Sequence, residues 1–445
     1  MTERTPDAAS LFTAEEKLNE MTFEGMPLGG LLAYSFNYLH KGAYKPAVAP
    51  KKKLLQKILL KSLIKPSAGS CSSKIFYYQT GSHLHYRRLK DVVAANFSEQ
   101  DYVVYQADAN ATVGINPGLS NYFKIASFCK QNREKFISIF SKSGIAGDLH
   151  EVLMMDLRIQ LCRAITWKRY FSASKNLKLV VGDYDRGNET SPLFTAARSL
   201  RIRTIVFQHG VINPPYGFFP LIADKVCVWG EIQKVQYKAM STDEQRVVVT
   251  GTPLIEKRNG SVFNASAYGL DDNKKKIVLG VNPLQLHHNK ILIEAFAESC
   301  NDFNSETYDF YLKLHPSQKP EQFPFLQEYP KLKIWDKRIT NDEFFQVCNV
   351  LITHNSGIAN EALFHGIPVG ILDILPISAG NGVELNKYMS VPLLKSSSDL
   401  THFVREATAD NYDLHSNIDI TKFYYRTGRE AAETMSKELA KHLAS

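Results

Sequence analysis

Three clusters of polar residues could carry chemistry, and each directly follows an apolar segment of the chain. They lie at 183–189, at 208–210, and at the paired segments 315–316 and 355–357. Transfer of a sugar from an activated donor needs a carboxylate that takes the proton of the acceptor hydroxyl. It also needs imidazole N–H, hydroxyl or helix N-terminal amide donors that stabilise the departing nucleotide phosphate. The first cluster offers carboxylates and the third offers phosphate-binding donors, so the pattern favours a transferase.

The carboxylates of the first cluster are Asp183, Asp185 and Glu189. Asp183 and Asp185 form an Asp-x-Asp string of the kind that can hold a metal bound to a nucleotide diphosphate. One short string is weak support for such a site. We therefore predict no metal at these residues.

Two further strand ends in the first half of the chain carry small or polar residues. The strand predicted at 203–207 ends at Gln208, His209 and Gly210, whereas Gly251 and Thr252 end a later strand. We expect the first three to line the acceptor site or the cleft and the last two to help bind the donor. A histidine beside a glycine turn can equally be structural.

The third cluster combines two strand ends from the second half of the chain. Proline lacks an N–H and restricts the residue before it, so Pro316 ends one strand and holds His315 extended at its edge. The other strand ends in Asn355, Ser356 and Gly357. Ligands of open α/β sheets bind outside the carboxyl ends of the strands, so we expect all these residues to bind the donor. A helix N-cap is an alternative role for Ser356.

The helix predicted at 358–364 carries one more candidate, Glu361. It lies about one turn inside the helix. Its carboxylate could accept a hydrogen bond from a ribose hydroxyl, or it could be an ordinary surface glutamate.

Strands and helices alternate along the chain, which favours parallel sheets covered by helices. A chain of 445 residues is too long for one ordinary core, and a polar linker at 257–276 divides it. We therefore predict an α/β protein with two Rossmann-like domains facing a cleft. Residues 1–256, with a helical N-terminal extension, would bind the acceptor and 257–425 the nucleotide-sugar donor. The remaining residues, 426–445, would form a helix that packs back on the first domain.

The composition is that of a soluble globular protein, with 44% hydrophobic and 22% charged residues. No segment approaches the roughly 20 apolar residues that span a bilayer. The N-terminal residues are polar and include acidic side chains, a pattern that does not indicate a secretory signal. Six scattered cysteines without C-x-x-C spacing indicate reduced thiols. We expect a cytoplasmic protein.

The net charge of +8 favours anionic partners, and the segment 45–65 supplies much of it. Leucines between its lysines predict a basic amphipathic helix, which could lie on the inner face of an anionic membrane. The alternative is a solvated helix whose leucines pack inward. The lysines lack interleaved aromatic residues, so nucleic acid is not an expected partner.

The ordered motifs resemble those of bacterial surface-polysaccharide glycosyltransferases of the two-domain GT-B type. The chain resembles most the capsule and lipopolysaccharide enzymes that use CMP-activated acidic sugars of the sialic, pseudaminic or Kdo type. Bacterial sialyltransferases carry a D/E-D/E-G motif, then an HP motif and a serine pair. The similar residues here are Asp185-Arg186-Gly187, His315-Pro316 and Asn355-Ser356. Arg186 replaces the second carboxylate and Asn355 replaces the first serine.

The resemblance implies roles for these residues. Asp185 would be the base of an inverting transfer, with Asp183 or Glu189 as substitutes. His315 would contact the donor phosphate and assist the departure of CMP, and Ser356 with nearby amides would hold that phosphate. The donor would be CMP-linked, the acceptor a surface or lipid-linked glycan, and no metal or other cofactor would be required.

Three alternatives stay open. A polyol-phosphate transferase that uses CDP-glycerol would share the two-domain plan and the histidines at strand ends. A glycosyltransferase that uses a UDP-sugar would share the same features. The third alternative is a carbohydrate- or nucleic-acid-binding protein without catalytic activity.

Overall fold

The structure is a computed structural model that describes residues 7–40, 48–63, 69–79, 84–106, 115–212, 217–255, 263–413 and 418–444. The chain forms two compact units. The first unit comprises Met1–Leu254 and Tyr425–Ser445, and the second unit comprises Ile255–Tyr424. The C-terminal segment therefore belongs to the first unit. The assignment of acceptor binding and donor binding to separate domains stays a prediction.

The helices are given in chain order. They are α1 Ala8–Asn19, α2 Ala33–His40, α3 Val48–Ser62, α4 Leu84–Ala94, α5 Leu119–Gln131, α6 Arg133–Lys142, α7 Gly147–Ala173, α8 Thr190–Ser199, α9 Glu231–Ala239, α10 Leu286–Ser299, α11 Asn341–Val347, α12 Ile358–Phe364, α13 Asn381–Met389, α14 Ser397–Ala407 and α15 Gly428–Ala444. Short 3₁₀ turns occur at Gly29–Leu32, Glu244–Arg246, Ala265–Tyr268, Cys300–Asp302, Pro320–Gln322, Pro324–Glu328 and Ile420–Lys422.

The strands form two large sheets and one hairpin. They are β1 Thr22–Phe23, β2 Met26–Pro27, β3 Ile75–Gln79, β4 Tyr102–Gln106, β5 Leu179–Gly182, β6 Arg203–Phe207, β7 Lys225–Val228, β8 Val247–Val249, β9 Lys275–Gly280, β10 Tyr308–Lys313, β11 Leu332–Ile334, β12 Cys348–Thr353, β13 Val369–Leu372 and β14 Leu393–Leu394. The hairpin pairs β1 with β2 in the antiparallel sense.

The sheet of the first unit has the order β4-β3-β5-β6-β7-β8, and all its pairs are parallel. Every residue of β5 is buried, as expected for a parallel strand covered on both faces. The direction in which successive strands are added reverses between β3 and β5. Connections leave opposite faces at such a reversal, which opens a crevice at the carboxyl ends of the two strands.

The sheet of the second unit has the order β11-β10-β9-β12-β13-β14, also with all pairs parallel. Its reversal lies between β9 and β12. This is the strand order of a dinucleotide-binding Rossmann sheet, in which ligands bind at the reversal.

The basic segment forms helix α3, and part of it belongs to the core of the first unit. Leu55 and Ile58 are buried, and Lys51 pairs with Asp156. The inward-packing interpretation therefore describes this face of the helix, although Leu60 remains 64% exposed. Residues 45–47, 64 and 65 lie outside the described residues. Within the part of the chain that is described, no helix combines the length and apolar character needed to cross a membrane.

Most predicted elements are present, with shifted ends. The strand at 203–207 and the helix at 358–364 have the predicted bounds. The terminal helix, predicted at 426–445, begins at Gly428, whose φ of +53° separates it from the preceding turn. Residues 257–262 of the predicted linker lie outside the described residues.

Candidate functional site

One side chain, Asn282, joins the carboxyl ends of β9 and β12 in the second unit. Its amide nitrogen donates to the carbonyl of Asn355. Its amide oxygen accepts from the N–H of Asn355 at 3.1 Å and from the Thr353 hydroxyl at 3.4 Å. Because both strand ends are bound to the same side chain, the loops at the reversal of the sheet are held in a fixed arrangement.

Gln318 ties the loop after β10 to the same network. Its side-chain nitrogen donates to the carbonyl of Asn282 at 2.9 Å, and its side-chain oxygen accepts from the N–H of His315 at 3.0 Å. The structure thus links the loop that carries His315 and the exposed Pro316 to the loop that carries Asn355. Both halves of the third cluster lie at one edge of one sheet.

The ring of His315 has a defined hydrogen-bonding role. Its Nδ1 accepts from the N–H of Ser317 at 3.2 Å and lies 2.7 Å from the Ser317 hydroxyl. Burial lowers the pKa of His315, so the ring is neutral at pH 7. In a neutral ring whose Nδ1 accepts, Nε2 carries the proton and is a donor.

Ser356 and Gly357 precede α12. Gly357 occupies the N-cap position, and no side chain caps this helix. The Ser356 hydroxyl accepts from the N–H of Ile358 at 3.4 Å, which is longer than an ordinary hydrogen bond. Gly357, rather than Ser356, therefore occupies the N-cap position, and donor binding by Ser356 stays a prediction.

Glu361 lies in the first turn of α12 and is half-buried. Its charge acts on Lys313, the last residue of β10. Burial lowers the pKa of Lys313, and the Glu361 carboxylate opposes this shift. The pair places a carboxylate and an amine near the strand ends of this unit.

His354 immediately follows β12 and was absent from our sequence-based candidates. It is 1% exposed, and its Nδ1 lies 3.0 Å from the carbonyl of Leu372. A carbonyl only accepts, so Nδ1 carries a proton, and in the uncharged tautomer with that proton Nε2 is the acceptor. Nε2 is buried and has no hydrogen-bond partner among the described residues. The sequence signal was its position between a predicted strand and Asn355, at the edge where ligands bind.

In the first unit, the central residues of the loop 183–189 are structural. Asp185 is 3% exposed, and one of its oxygens accepts from the N–H groups of Ile222 and Ala223 at 2.7 and 2.9 Å. Burial raises the pKa of Asp185, against the effect of these bonds. A buried carboxylate bound by backbone amides is poorly placed to reach an acceptor hydroxyl. The structure therefore argues against Asp185 as the base.

Arg186, which departs from the sialyltransferase motif, has a structural partner. Its guanidinium is fully buried and donates to both carboxylate oxygens of Glu15, at 2.9 and 2.7 Å. It also donates to the carbonyl of Pro220 at 2.6 Å. The arginine thus fastens the loop to α1 and to the segment before β7.

Asp183 and His209 are packed together beside this loop. Asp183 is fully buried. The His209 ring stacks on Phe218 with centroids 5.2 Å apart and meets the edge of Tyr184 at 4.9 Å. Burial lowers the pKa of His209 to about 4, and a hydrogen bond to the backbone of Asp183 opposes this shift. The structure therefore favours the structural interpretation of His209.

Gln208 closes the ends of β6 and β7. Its side-chain oxygen accepts from the N–H of Trp229 at 3.2 Å, and its nitrogen donates to the carbonyl of Gly210 at 2.8 Å. The indole N–H of Trp229 donates to the backbone carbonyl of Gln208 at 3.0 Å. Because Gln208 is buried and both ends of its amide are bonded, its expected position in the acceptor site is not supported.

Gly251 and Thr252 belong to the first unit and pack against its C-terminal segment. Gly251 has a φ of +90°, and a Cβ there would come within 2.3 Å of the Arg426 carbonyl oxygen. Thr252 is buried, donates its N–H to Arg426 and accepts from the N–H of Gly428. These backbone contacts explain both residues, and they argue against donor binding.

Glu189, at the end of the same loop, differs from its neighbours. It is half-buried, and the hydroxyl of Tyr78 on β3 donates to its carboxylate. Burial, reinforced by the Glu189 charge, raises the pKa of Tyr78, so the phenol stays protonated. Arg163 on α7 donates to the carbonyl of Asn188 at 2.8 Å, and its charge acts on Glu189. The reversal between β3 and β5 thus brings a carboxylate, a phenol and a guanidinium together.

Sequence reasoning named Glu189 but missed Tyr78 and Arg163. Tyr78 lies near the carboxyl end of β3, the first strand of this unit's large sheet, and that position was an available signal. Arg163 lies inside a long helix, where nothing in the sequence separates it from neighbouring arginines. Among the described residues, no group of three or more histidine, cysteine, aspartate or glutamate side chains could hold a metal ion.

Comparison with solved structures identifies the fold. A UDP-N-acetylglucosamine 2-epimerase aligns with 84% of this chain and 97% of its own, with 16% identity and a TM-score of 0.53. The UDP-GlcNAc 2-epimerase of Methanocaldococcus jannaschii, in complex with UDP-GlcNAc and UDP, aligns with 82% of this chain and 99% of its own. Its identity is 14% and its TM-score 0.51. No protein-family model and no curated protein matches the sequence.

At these identities the likeness shows the fold alone. The predicted fold class, an α/β protein of GT-B type with two Rossmann-like parallel-sheet domains, is confirmed. Both neighbours are named for UDP-sugars, and one was solved with UDP-GlcNAc and UDP. The resemblance to enzymes that use CMP-activated acidic sugars receives no support from them.

Proposed function

We propose that the protein is a glycosyltransferase that uses a UDP-sugar donor. The observation that carries this proposal is the polar edge at the reversal of the second-unit sheet, where Asn282 holds two strand ends together and His354 presents a buried acceptor. The fold shared with enzymes named for UDP-sugars favours a uridine nucleotide over a cytidine nucleotide.

The residues of the second unit suit different parts of the donor. Nε2 of His354 would accept from an N–H or O–H group of the nucleotide, which would relieve the cost of a buried unpaired acceptor. The protonated Nε2 of His315 would donate to a phosphate oxygen, where negative charge grows as the nucleotide leaves. The Glu361 carboxylate would accept from a ribose hydroxyl.

The first unit would supply the base through Glu189. Its carboxylate is half-buried and oriented by the Tyr78 hydroxyl, and the Arg163 charge lies nearby. A carboxylate held in this way can take the proton of an acceptor hydroxyl. Glu189 replaces Asp185 in this role because Asp185 is bound by backbone amides.

The donor preference can be tested directly. The protein would be incubated with UDP-, CMP- and CDP-linked compounds, including UDP-GlcNAc and CDP-glycerol, and release of each nucleotide would be measured with and without glycan acceptors. We expect acceptor-stimulated release of UDP. Release of CMP only, from CMP-linked acidic sugars or CDP-glycerol, would exclude the UDP-sugar proposal.

A nucleotide-sugar epimerase is a second candidate, because the two neighbours described above are UDP-GlcNAc 2-epimerases. The two reactions differ in their need for an acceptor. An epimerase would convert UDP-GlcNAc to its C2 epimer without an acceptor, which NMR of the nucleotide sugar would detect. A transferase would leave the configuration at C2 unchanged.

A further inference from the structure

The first unit contains a cavity of about 550 Å³, lined by residues of α1, the β1–β2 hairpin, α8, the start of β6 and the segment before β7. Three arginines line it: Arg198 in the last turn of α8, Arg201 in the loop between α8 and β6, and Arg203 at the start of β6. We call it the arginine cavity. Its lining does not include Glu189, Tyr78 or Arg163, so the cavity is distinct from the site formed by those three residues.

The carboxylates that line the arginine cavity are already engaged. Asp224 accepts from the N–H and hydroxyl of Thr204 and from Arg198 at 2.8 Å. Glu15 is bound by both terminal nitrogens of the buried Arg186. Their charge is therefore balanced by these partners, and the remaining arginines leave the cavity positive.

A further arginine adds charge behind the wall. Arg246 donates to the carbonyls of Leu221 and Asp224 at 3.0 and 3.1 Å. Leu221 itself lines the cavity. Because buried charges are screened less than exposed ones, this guanidinium strengthens the attraction for an anion.

The guanidinium of Arg201 does not contribute to the internal contacts of the fold. Its side chain is exposed and makes no hydrogen bond or ion pair within the described residues. Its φ of +58° lies in the left-handed region, which costs a non-glycine residue free energy. The turn nevertheless directs an arginine to the cavity rim. Helix-end charge stabilisation, which can account for Arg198, does not extend to Arg201 or Arg203.

The lining also includes the apolar residues Pro27, Pro220, Leu221 and Ile222, beside the polar residues Asn19, Thr195 and Ser199. The volume falls within the range of small-molecule sites, roughly 300–1,000 Å³. Arginine forks match phosphate oxygens, and an apolar wall suits the carbon skeleton of a ligand. We propose that the arginine cavity binds a small organic phosphate of the size of a sugar phosphate.

Two residues that line the arginine cavity also form hydrogen bonds with the loop 183–189. Ile222 lines the cavity while its N–H binds Asp185, and Glu15 lines it while binding Arg186. A ligand in the arginine cavity therefore contacts the residues that hold the loop in place.

Isothermal titration calorimetry of the full chain would test the site, with glucose 6-phosphate as the probe and glucose as its uncharged counterpart. The variant Arg201→Gln removes an arginine without internal partners. Arg429→Gln, an exposed arginine on α15 of the same unit, is the matched control for net charge. Circular dichroism and thermal unfolding would establish that both variants fold as the wild type does.

We expect glucose 6-phosphate to bind the wild type with a Kd of about 1 mM or below, and glucose not to bind. Arg201→Gln should weaken the binding about tenfold, as expected for loss of one charge-assisted contact, and Arg429→Gln should not change it. Absence of measurable binding to the wild type, or equal weakening by the two variants, would overturn the proposal. The measurement does not depend on transferase activity.

Discussion

The strand-end loops of the two units carry similar residue types but use them differently. In the first unit, the side chains of Asp185 and Gln208 form hydrogen bonds with backbone groups of neighbouring segments, so they stabilise the fold. In the second unit, Asn282 and Gln318 make the internal bonds, and they leave His315 and His354 each with a ring nitrogen that makes no bond to the described residues.

This difference in hydrogen bonding shows that a position at a strand end does not by itself give a residue a role in binding. Polar groups buried there must be paired, either with the protein or with a ligand. In the first unit the protein provides nearly all the partners, and Glu189 is the carboxylate that stays half-exposed. In the second unit the supporting residues differ from the residues available to a ligand.

The largest effect is expected for Glu189→Gln. The substitution keeps the hydrogen bond with Tyr78 in reach but removes the proton acceptor, so kcat should fall by about 10²–10⁴-fold. Steady-state kinetics with the donor found in the nucleotide screen would measure it. The control is Glu433→Gln on the surface of α15, which should keep full activity. A loss of less than threefold for Glu189→Gln would contradict its role as the base.

The next effect concerns stability rather than activity. Arg186→Met leaves Glu15 as a buried carboxylate without its ion-pair partner, which should cost about 3–5 kcal/mol of unfolding free energy. Urea unfolding followed by circular dichroism would measure the change. The double variant Glu15→Gln/Arg186→Met should recover part of the loss, because no unpaired charge remains. A wild-type unfolding midpoint for Arg186→Met would show that the pair does not support the loop.

His209 predicts a pH dependence of stability. Its pKa is lowered from 6.5 to about 4 in the folded protein, so between these values the unfolded chain binds more protons. Stability therefore rises with pH from about 4 to 6.5 and is lost on acidification through this window. The contribution is at most about 3 kcal/mol. His209→Phe, which preserves ring stacking, should show a shallower stability decrease from pH 7 to pH 4.5 than the wild type.

Unfolding curves at several pH values would compare the two proteins. The difference between them isolates His209 from the carboxylates, which titrate in both. Parallel pH profiles for wild type and His209→Phe would mean that this histidine is not buried as a neutral ring.

Sequence patterns predicted the strand ends and the fold class because both depend on local signals. Proline after His315 and the apolar run before Asn355 fix where strands end. The partners of Asp185 could not be predicted, because Ile222 and Ala223 lie more than 30 residues away and act through backbone amides. The same is true of Arg186 and Glu15, which are 171 residues apart in sequence. Whether a polar side chain is available to a ligand depends on such long-range partners, and a short sequence motif contains no information about them.

The smallest effect is expected at the open edge of the second unit, for His354→Phe. Phenylalanine keeps an aromatic ring at this position but removes the buried acceptor Nε2, together with the Nδ1 bond to the Leu372 carbonyl, so UDP should bind about tenfold more weakly. Calorimetry with UDP would measure the change, and His402→Gln, at an exposed position on α14, is the matched control. If His354→Phe binds UDP as the wild type does, the nitrogen has no ligand partner. His354 would then no longer support the contrast between the first unit, whose strand-end polar groups are paired within the protein, and the second unit, whose histidines are available to a ligand.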